Sequence, residues 1–231
     1  MQASTNKFYI VATPIGNLED ITLRALRILG EVDIILCEDT RTTRKLLQNY
    51  TIATPTESYH AQSSQNKEDT IINRIKEGKT FALVSDAGTP TISDPGVRLM
   101  SRIWDDCKDT VQIISLPGPS AVITALAATG FTGNQFTFYG FLPHKKGRNT
   151  VFDTIEKSKT IAVFYESPHR IMKTLAELDT RFGKERRVAV GRELTKIYEE
   201  TVRGSAFYVH NFFKDNPDHV RGECVVIVEA I

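Results

Sequence analysis

The sequence predicts an α/β protein of two domains, the first built on a mainly parallel sheet. Three observations carry that reading. Short apolar runs alternate with helical stretches through the first half of the chain. Those runs end in loops rich in Gly, Pro, Ser, Thr and Asp. The second half has more strand-like runs and fewer clear helices, which fits a mixed sheet. Hydrophobic residues form 41% and charged residues 25% of the 231 residues. These are ordinary globular values and exclude collagen, a coiled coil or a disordered chain.

Residues 8–12 read as the first strand, ended by Thr13-Pro14-Ile15-Gly16-Asn17. Asp20 then precedes a helical stretch with Leu23, Leu26 and Leu29 near helical spacing, and Gly30 is its expected stop. Residues 32–37 read as a buried strand. Residues 67–77 read as a polar helix with an Ile71, Ile72, Ile75 stripe closed by Gly78, and residues 80–84 as a third strand. Asp94-Pro95 has the form of an N-cap followed by proline at the first helical position. Val97, Met100, Ile103, Trp104 and Cys107 then make one apolar face. Residues 111–116 are another strand, and Pro119 opens a small-residue helix that runs to Gly130.

Beyond this point residues 136–139, 161–165, 187–190, 198–202 and 224–228 read as strands. One helix is well marked there. Ser167 caps it, Pro168 sits at its first position, and Ile171, Leu175, Leu178 and Phe182 share a face before Gly183. A further helix is expected over 207–213. The domain boundary falls near 116–119, giving domains 1–116 and 117–231.

Charge and cysteine usage narrow the function classes. Lys and Arg number 29 against 28 Asp and Glu, a net charge of +1, so a phosphate-binding surface must be local. The three cysteines, Cys37, Cys107 and Cys224, have neither disulfide nor zinc spacing. A reducing, cytoplasmic setting is expected. No apolar run approaches the roughly 18 residues of a membrane span. Residues 1–7 carry no signal-peptide pattern.

Four loops stand out as candidates for chemistry: 13–17, the twelve-residue SDAGTPTISDPG segment 85–96, 117–120 and 166–170. Ligands of open α/β sheets bind where such loops gather at the carboxyl ends of strands. The competing reading is that strand-to-helix loops need Gly and Pro anyway; four of them in one chain favour a ligand cleft. The P-loop, the dinucleotide GxGxxG, the GxSxG elbow and metal-spaced histidines are all missing from the sequence. No metal is expected. The remaining backbone donors, acceptors and carboxylates suit a ligand with an amine, a carboxylate and a purine ring.

The runs VATPIGNLEDITLRA, CEDTRTTRKLL, LVSDAGTPTISDPG, LPGPSAVITAL, GFLP, FYESPHRI and GRELTKIYEE together resemble the ribosomal RNA small subunit methyltransferase I family, part of the tetrapyrrole methylase superfamily. The resemblance covers residues 8–228 in the expected order. It implies two α/β domains with S-adenosylmethionine held in a cleft between them. It implies 2′-O-methylation of a cytidine in the decoding centre of 16S rRNA, with the small ribosomal subunit as substrate, and assembly as a homodimer. Many members continue into a small further C-terminal domain, whereas this sequence ends at Ile231.

By the same resemblance, cofactor contacts map to Pro14, Asp86, Gly88, Thr89, Ser120, Ala121, Tyr165, Gly191, Gly222 and Glu223. Asp86 is the expected acceptor for an amine or ribose hydroxyl, and Asp94 is weighted towards capping. A ribose hydroxyl is a weak nucleophile, so a positioned proton acceptor helps. Glu166 and Glu193 each follow a strand beside a basic residue, and one of them is expected to take or orient the proton. Arg170 or Lys196 would then hold phosphate. The competing reading is a structural ion pair, for example Glu193 with Arg170. The expected RNA-binding residues are Arg41, Arg44 and Lys45, and Lys145, Lys146 and Arg148 in a Gly-flanked loop that reads as mobile. A third cluster, Arg181, Lys184, Arg186 and Arg187, reads equally well as a solvated face. His60, His210 and His219 receive no role. The alternatives are a tetrapyrrole (precorrin) methyltransferase and a cofactor-binding, ribosome-associated module without turnover.

Overall fold

The computed structural model describes residues 6–94 and 96–231. The chain divides into two compact units, the first ending at Ser120 and the second covering Ala121–Ile231.

The first unit contains β1 (Asn6–Val11), α1 (Leu23–Glu31), β2 (Ile34–Cys37), α2 (Thr40–Asn49), β3 (Thr56–Ser58), α3 (Gln65–Lys76), β4 (Phe81–Leu83), α4 (Val97–Cys107) and β5 (Val111–Leu116). Its sheet has the order β3-β2-β4-β1-β5, and every pairing is parallel. Alternate residues of each strand feed two cores. Phe8, Leu36, Phe81 and Leu83 pack with Ile71, Ile75, Leu99 and Ile103, so α3 and α4 cover one face. Tyr9, Val11, Ile35 and Ala82 pack with Ala25, Ile28, Leu29 and Leu47, so α1 and α2 cover the other. Burial on both faces explains why these strands read as continuous apolar runs. Neighbouring strands β1 and β4 therefore send their chains to opposite faces. Their carboxyl ends form a topological switch point, where α/β sheets place ligands.

The second unit contains α5 (Ala121–Thr129), β6 (Phe136–Phe141), α6 (Arg148–Glu156), β7 (Ile161–Glu166), α7 (Ile171–Phe182), β8 (Arg187–Arg192), β9 (Glu200–Ser205), α8 (Ala206–Asp215) and β10 (Cys224–Val228). Its sheet has the order β6-β7-β10-β8-β9. The β6–β7 pairing is parallel and the remaining pairings are antiparallel, so the sheet is mixed. One core gathers Phe152 and Ile155 of α6, Leu175 and Leu178 of α7, and Val209 and Phe213 of α8 against Phe164, Val188, Val190 and Val226. On the opposite face α5 lies close to β8. A Cβ at Gly191 would stand 3.3 Å from that of Ala125.

Several expected boundaries move, each for a local reason. Helix α1 is capped by Thr22, whose Oγ1 accepts from Ala25 N at 3.0 Å, and it continues through Gly30. Asp94 does not cap α4; Gly96 occupies that position at φ 118°, and Pro95 lies outside the described residues, as do the first five residues of the chain. Val97 and Trp104 are not on the buried face, which is Leu99, Met100, Ile103 and Cys107. Helix α7 starts at Ile171 rather than at Pro168, because the Ser167 carbonyl accepts from Arg170 N and Ile171 N in a turn before it. Helices α2 and α6 and the short β3 were absent from the sequence reading. Other boundaries shift at the site: β7 includes Glu166, β8 runs to Arg192, α5 starts at Ala121 rather than Pro119, and β9 begins at Glu200, leaving Ile197 and Tyr198 exposed in the preceding loop.

The loops after β1 and β5 meet at a point of minimal clearance. A Cβ at Gly118 would fall 2.7 Å from the Cβ of Ala12. Gly118→Ala should therefore lower the Tm by roughly 3–10 °C, the cost of forcing two backbones apart. Thermal unfolding of the purified variant measures this, and an unchanged Tm would refute the close approach.

Candidate functional site

In the first unit, the loops after β1 and β4 are joined at the switch point. Thr13 N donates to Gly88 O at 2.9 Å and Gly88 N returns a bond to Thr13 O at 3.0 Å. Thr13 Oγ1 donates to Ser85 O at 3.0 Å, and Ser85 Oγ donates to Gly88 O at 3.1 Å. Gly88 adopts φ +81°, a left-handed conformation that a side chain would strain. Thr89 Oγ1 donates to Pro119 O at 3.1 Å and so ties this loop to the one after β5. Three carboxylates lie near one another, Asp86 and Asp94 on the loop after β4 and Glu38 just after β2. Asp86 accepts from Asp39 N at 3.2 Å. Burial, then the charges of Glu38 and Asp86, push the Asp94 carboxyl up to about 6. Burial and the Asp86 charge likewise raise Glu38.

Of the expected cofactor residues, the structure brings together Asp86, Gly88 and Thr89, with half-buried Pro14 and Ser120 on the neighbouring loops. Thr13 and Gly118 fall in two of the candidate loops named from the sequence, while Glu38 was not named there although it is the first polar residue after an apolar strand.

In the second unit, two glutamates have opposite surroundings. Glu166 has no solvent-exposed side-chain surface. Its Oε1 lies 2.7 Å from Arg170 Nε and accepts from Ser167 N at 2.9 Å. Its Oε2 accepts from Thr174 Oγ1 at 2.7 Å and from Arg148 Nη2 at 3.3 Å. With both oxygens occupied and no access, Glu166 is unsuited to take a proton from a substrate. Arg170 is half-buried and spent on Glu166 and on the Leu142 carbonyl, at 3.0 Å.

Glu193 sits at φ 48° and is partly exposed. Its Oε1 accepts from Lys196 Nζ at 2.8 Å and from Glu223 N at 2.9 Å, while Glu193 N donates to Glu223 O at 2.9 Å. Lys196 Nζ also donates to Glu223 Oε2 at 3.0 Å. Burial works to raise the Glu193 carboxyl. The Lys196 hydrogen bond, the Glu223 N–H and the charges of Lys196 and Arg192 outweigh it and hold the group below the usual range. The structural pair considered for Glu193 is thus with Lys196, not Arg170. Gly222, at φ +80°, leaves the space that the Glu193 carboxyl occupies; a Cβ there would collide with it. Tyr165 packs between Phe138 and Phe141. Gly191 serves close packing against Leu194 and Ala125, and Ala121 begins α5.

The basic candidates separate. Arg44 and Lys45 are exposed on α2, and Arg41 is exposed but paired to Asp39, Nη2 to Oδ2 at 2.7 Å, which holds Asp39 down to about 2. Lys145 and Lys146 are exposed. Arg148 is not available to RNA: it is buried among Glu166, Thr174 and the Phe152 ring. The arginines of the third cluster are engaged internally, while Lys184 is exposed over the Phe207 ring. Arg181 pairs with Asp153, Glu156 and Glu177, Arg186 is buried against the carbonyls of Ile155 and Glu156, and Arg187 pairs with Glu229. Among the described residues no cluster of three or more His, Cys, Asp or Glu is arranged to hold a metal ion, and no helix is long and apolar enough to cross a membrane.

The profile of the tetrapyrrole (corrin/porphyrin) methylases matches residues 7–208. The ribosomal RNA small subunit methyltransferase I of Thermotoga maritima is 43% identical over 225 residues, covering 97% of this chain and 98% of that protein. The chain belongs to this methyltransferase family. The protein of the same name from Bacillus subtilis is 45% identical over 223 residues, covering 96% of this chain and 74% of its own length. Among solved structures, diphthine synthase aligns with a TM-score of 0.71 at 13% identity over 97% of this chain and 90% of that one. The methyltransferase CobJ aligns at 0.67 and 17% over 98% and 95%. These two likenesses speak for the fold.

The family's methyl donor is S-adenosylmethionine. The residues present in the first unit fit it. Gly88 and Gly118 keep side chains away from the switch point, and the donor's ammonium and sulfonium charges match the Glu38, Asp86 and Asp94 carboxylates.

Two predictions follow from this geometry. The fold favours neutral Asp94, so its contribution is greatest below the ordinary carboxylate value near 3.8 and is lost as pH rises through about 6. Asp94→Asn should stabilise the protein by about 1 kcal/mol at pH 7–8, after allowance for solvent screening, and by nothing below pH 4. Denaturant unfolding across that range tests the sign. At the second centre, Gly222→Ala should cost about 1–3 kcal/mol, and adding Glu193→Ala should recover about half of it. No recovery in the double variant would show that the carboxyl does not occupy that space.

Proposed function

We propose that this protein transfers the methyl group of S-adenosylmethionine to the 2′-hydroxyl of a decoding-centre cytidine in 16S rRNA, acting on the small ribosomal subunit in the cytoplasm. The observation that carries the reading is identity of 43% with a ribosomal RNA small subunit methyltransferase I along 98% of that protein. The cofactor residues named above, Pro14, Asp86, Gly88, Thr89, Ser120, Ala121, Tyr165, Gly191, Gly222 and Glu223, are proposed to hold the donor. When bound, S-adenosylmethionine supplies an electrophilic methyl activated by a positively charged sulfur.

The chain's own residues then position the acceptor. Glu193 is ionised at neutral pH as any ordinary glutamate is, and Lys196 and the Glu223 N–H hold its carboxyl lower against the effect of burial. A depressed carboxylate is a weak Brønsted base but a constant hydrogen-bond acceptor. Its role is to orient the hydroxyl and receive its proton late, as the oxygen–carbon bond forms. Lys196 offers a positive charge beside it. Arg44, Lys45, Lys145 and Lys146 neutralise phosphates without reading bases, and Arg41 joins them when it exchanges Asp39 for a phosphate. A cytidine inside folded RNA must be exposed before attack, which favours an assembled subunit over naked RNA. A homodimer belongs to the same reading.

The test is transfer of labelled methyl to small subunits from cells lacking this modification, with the product mapped to one nucleotide. Glu193→Gln should keep donor binding and reduce the rate by about 100-fold. Transfer to a precorrin in place of RNA, or donor binding with no transfer to either, would overturn the proposal.

A further inference from the structure

Arg148 and Arg170 both leave the buried Glu166 carboxylate and grip the same stretch of backbone. Arg170 Nη1 donates to Leu142 O at 3.0 Å and Arg148 Nη1 to Pro143 O at 3.3 Å. Arg148 N donates to Lys145 O at 3.3 Å, which closes the turn just ahead of α6. Thr174 Oγ1 lies 2.6 Å from Arg148 Nη2 and 2.7 Å from Glu166 Oε2, bringing α7 into the same knot. The segment between these grips carries exposed Lys145 and Lys146. A loop that the sequence marks as mobile is thus fastened at its base by one carboxylate and two guanidiniums.

The chemistry requires these residue types. A carboxylate with no exposed surface persists only where charged donors surround it. A guanidinium presents donors in a rigid fork, so one arginine binds the carboxylate and a backbone carbonyl together; a lysine ammonium cannot span both in that plane. Two cations around one anion also leave a positive excess beside the loop.

We infer that Glu166 is a positioning residue: acting through Arg148 and Arg170, it fixes the 142–147 loop so that Lys145 and Lys146 are presented together to RNA phosphates. The inference rests on the RNA reading above and gives Glu166 a role other than proton transfer.

The experiment compares wild-type protein with Glu166→Gln, Thr174→Val, Thr174→Ser and the Lys145→Ala/Lys146→Ala pair. Limited trypsin digestion reads the loop. Affinity for small subunits against salt reads RNA binding, and calorimetry with S-adenosylhomocysteine reads the cofactor site. In Glu166→Gln, cleavage after Lys145 and Lys146 should accelerate about tenfold, the scale of losing one charge-assisted bond. The slope of log affinity against log salt should become shallower by about two, the loss of two phosphate contacts at about 0.9 each. The KM for subunits should rise more than kcat falls. Adding Glu166→Gln to the lysine pair should weaken RNA binding no further, because both act through the same contacts. Thr174→Ser should behave as wild type and Thr174→Val as a milder Glu166→Gln; this pair carries the test if the glutamine variant does not fold. Unchanged cleavage, or an effect additive with the lysine pair, would overturn the inference. If the lysine pair alone binds subunits as wild type does, the RNA reading of the loop fails, while the cleavage rates still judge the fastening.

Discussion

Two adjacent parallel strands that send their chains over opposite faces of a sheet have nothing in the ladder to hold their ends together. Here the constraint is met by a pair of backbone hydrogen bonds between Thr13 and Gly88. The pair is an antiparallel bridge beyond the parallel β1–β4 ladder, and it fixes both loops at the switch point. The left-handed Gly88, the buried Thr13 hydroxyl on Ser85 O and the contact of Thr89 with Pro119 all follow from closing the chain there. The three carboxylates nearby then share a restricted volume. Burial first, and their mutual repulsion after it, raise Asp94 and Glu38, the cost of a surface suited to a cationic ligand.

The second unit shows how environment divides labour between two residues that look alike in sequence. Glu166 and Glu193 each follow a strand and each neighbours a basic side chain. Glu166 ends β7 beneath α6 and α7, so its carboxylate is enclosed and saturated by two arginines, a threonine and an amide. Glu193 follows β8 at a positive φ, and Gly222 gives it room to lie against the start of β10. Its ion pair with Lys196 leaves it partly open to solvent. The first arrangement suits a fixed strut, the second a group that meets a substrate.

This difference also marks how far the sequence was legible. Elements with strong periodicity were readable: the Ile71, Ile72, Ile75 stripe and the Ile171, Leu175, Leu178, Phe182 face are buried as expected. The family motifs gave the fold and the loops of the first unit. Helix α2 was hidden because its residues are mostly polar and its one fully buried apolar side chain, Leu47, makes no period, although Asp39 caps it. Helix α6 was hidden by Arg148, which a charge count places on the surface but which the fold buries. Spacing along the chain reveals which residues share a face, yet Glu166, Arg148 and Thr174 converge from three separate elements. No local pattern reports that meeting, nor that a carboxylate between two guanidiniums has no donor left to receive.

The same reasoning explains why arginine and lysine are divided as they are around the 142–147 loop. The interior positions, 148 and 170, meet a buried carboxylate and two carbonyls from fixed directions, and a planar, always-charged fork reaches carboxylate and carbonyl together, with Arg170 Nε in an ion pair with Glu166 rather than a hydrogen bond. On the proposed RNA reading, the exposed positions, 145 and 146, would meet phosphates that vary in place, to which a flexible stem with a point charge adapts. Counting cations in the sequence merges the two kinds into one basic cluster. Burial separates them into an anchor and a contact, so the charge offered to a partner is smaller than the composition suggests and its location is more tightly defined.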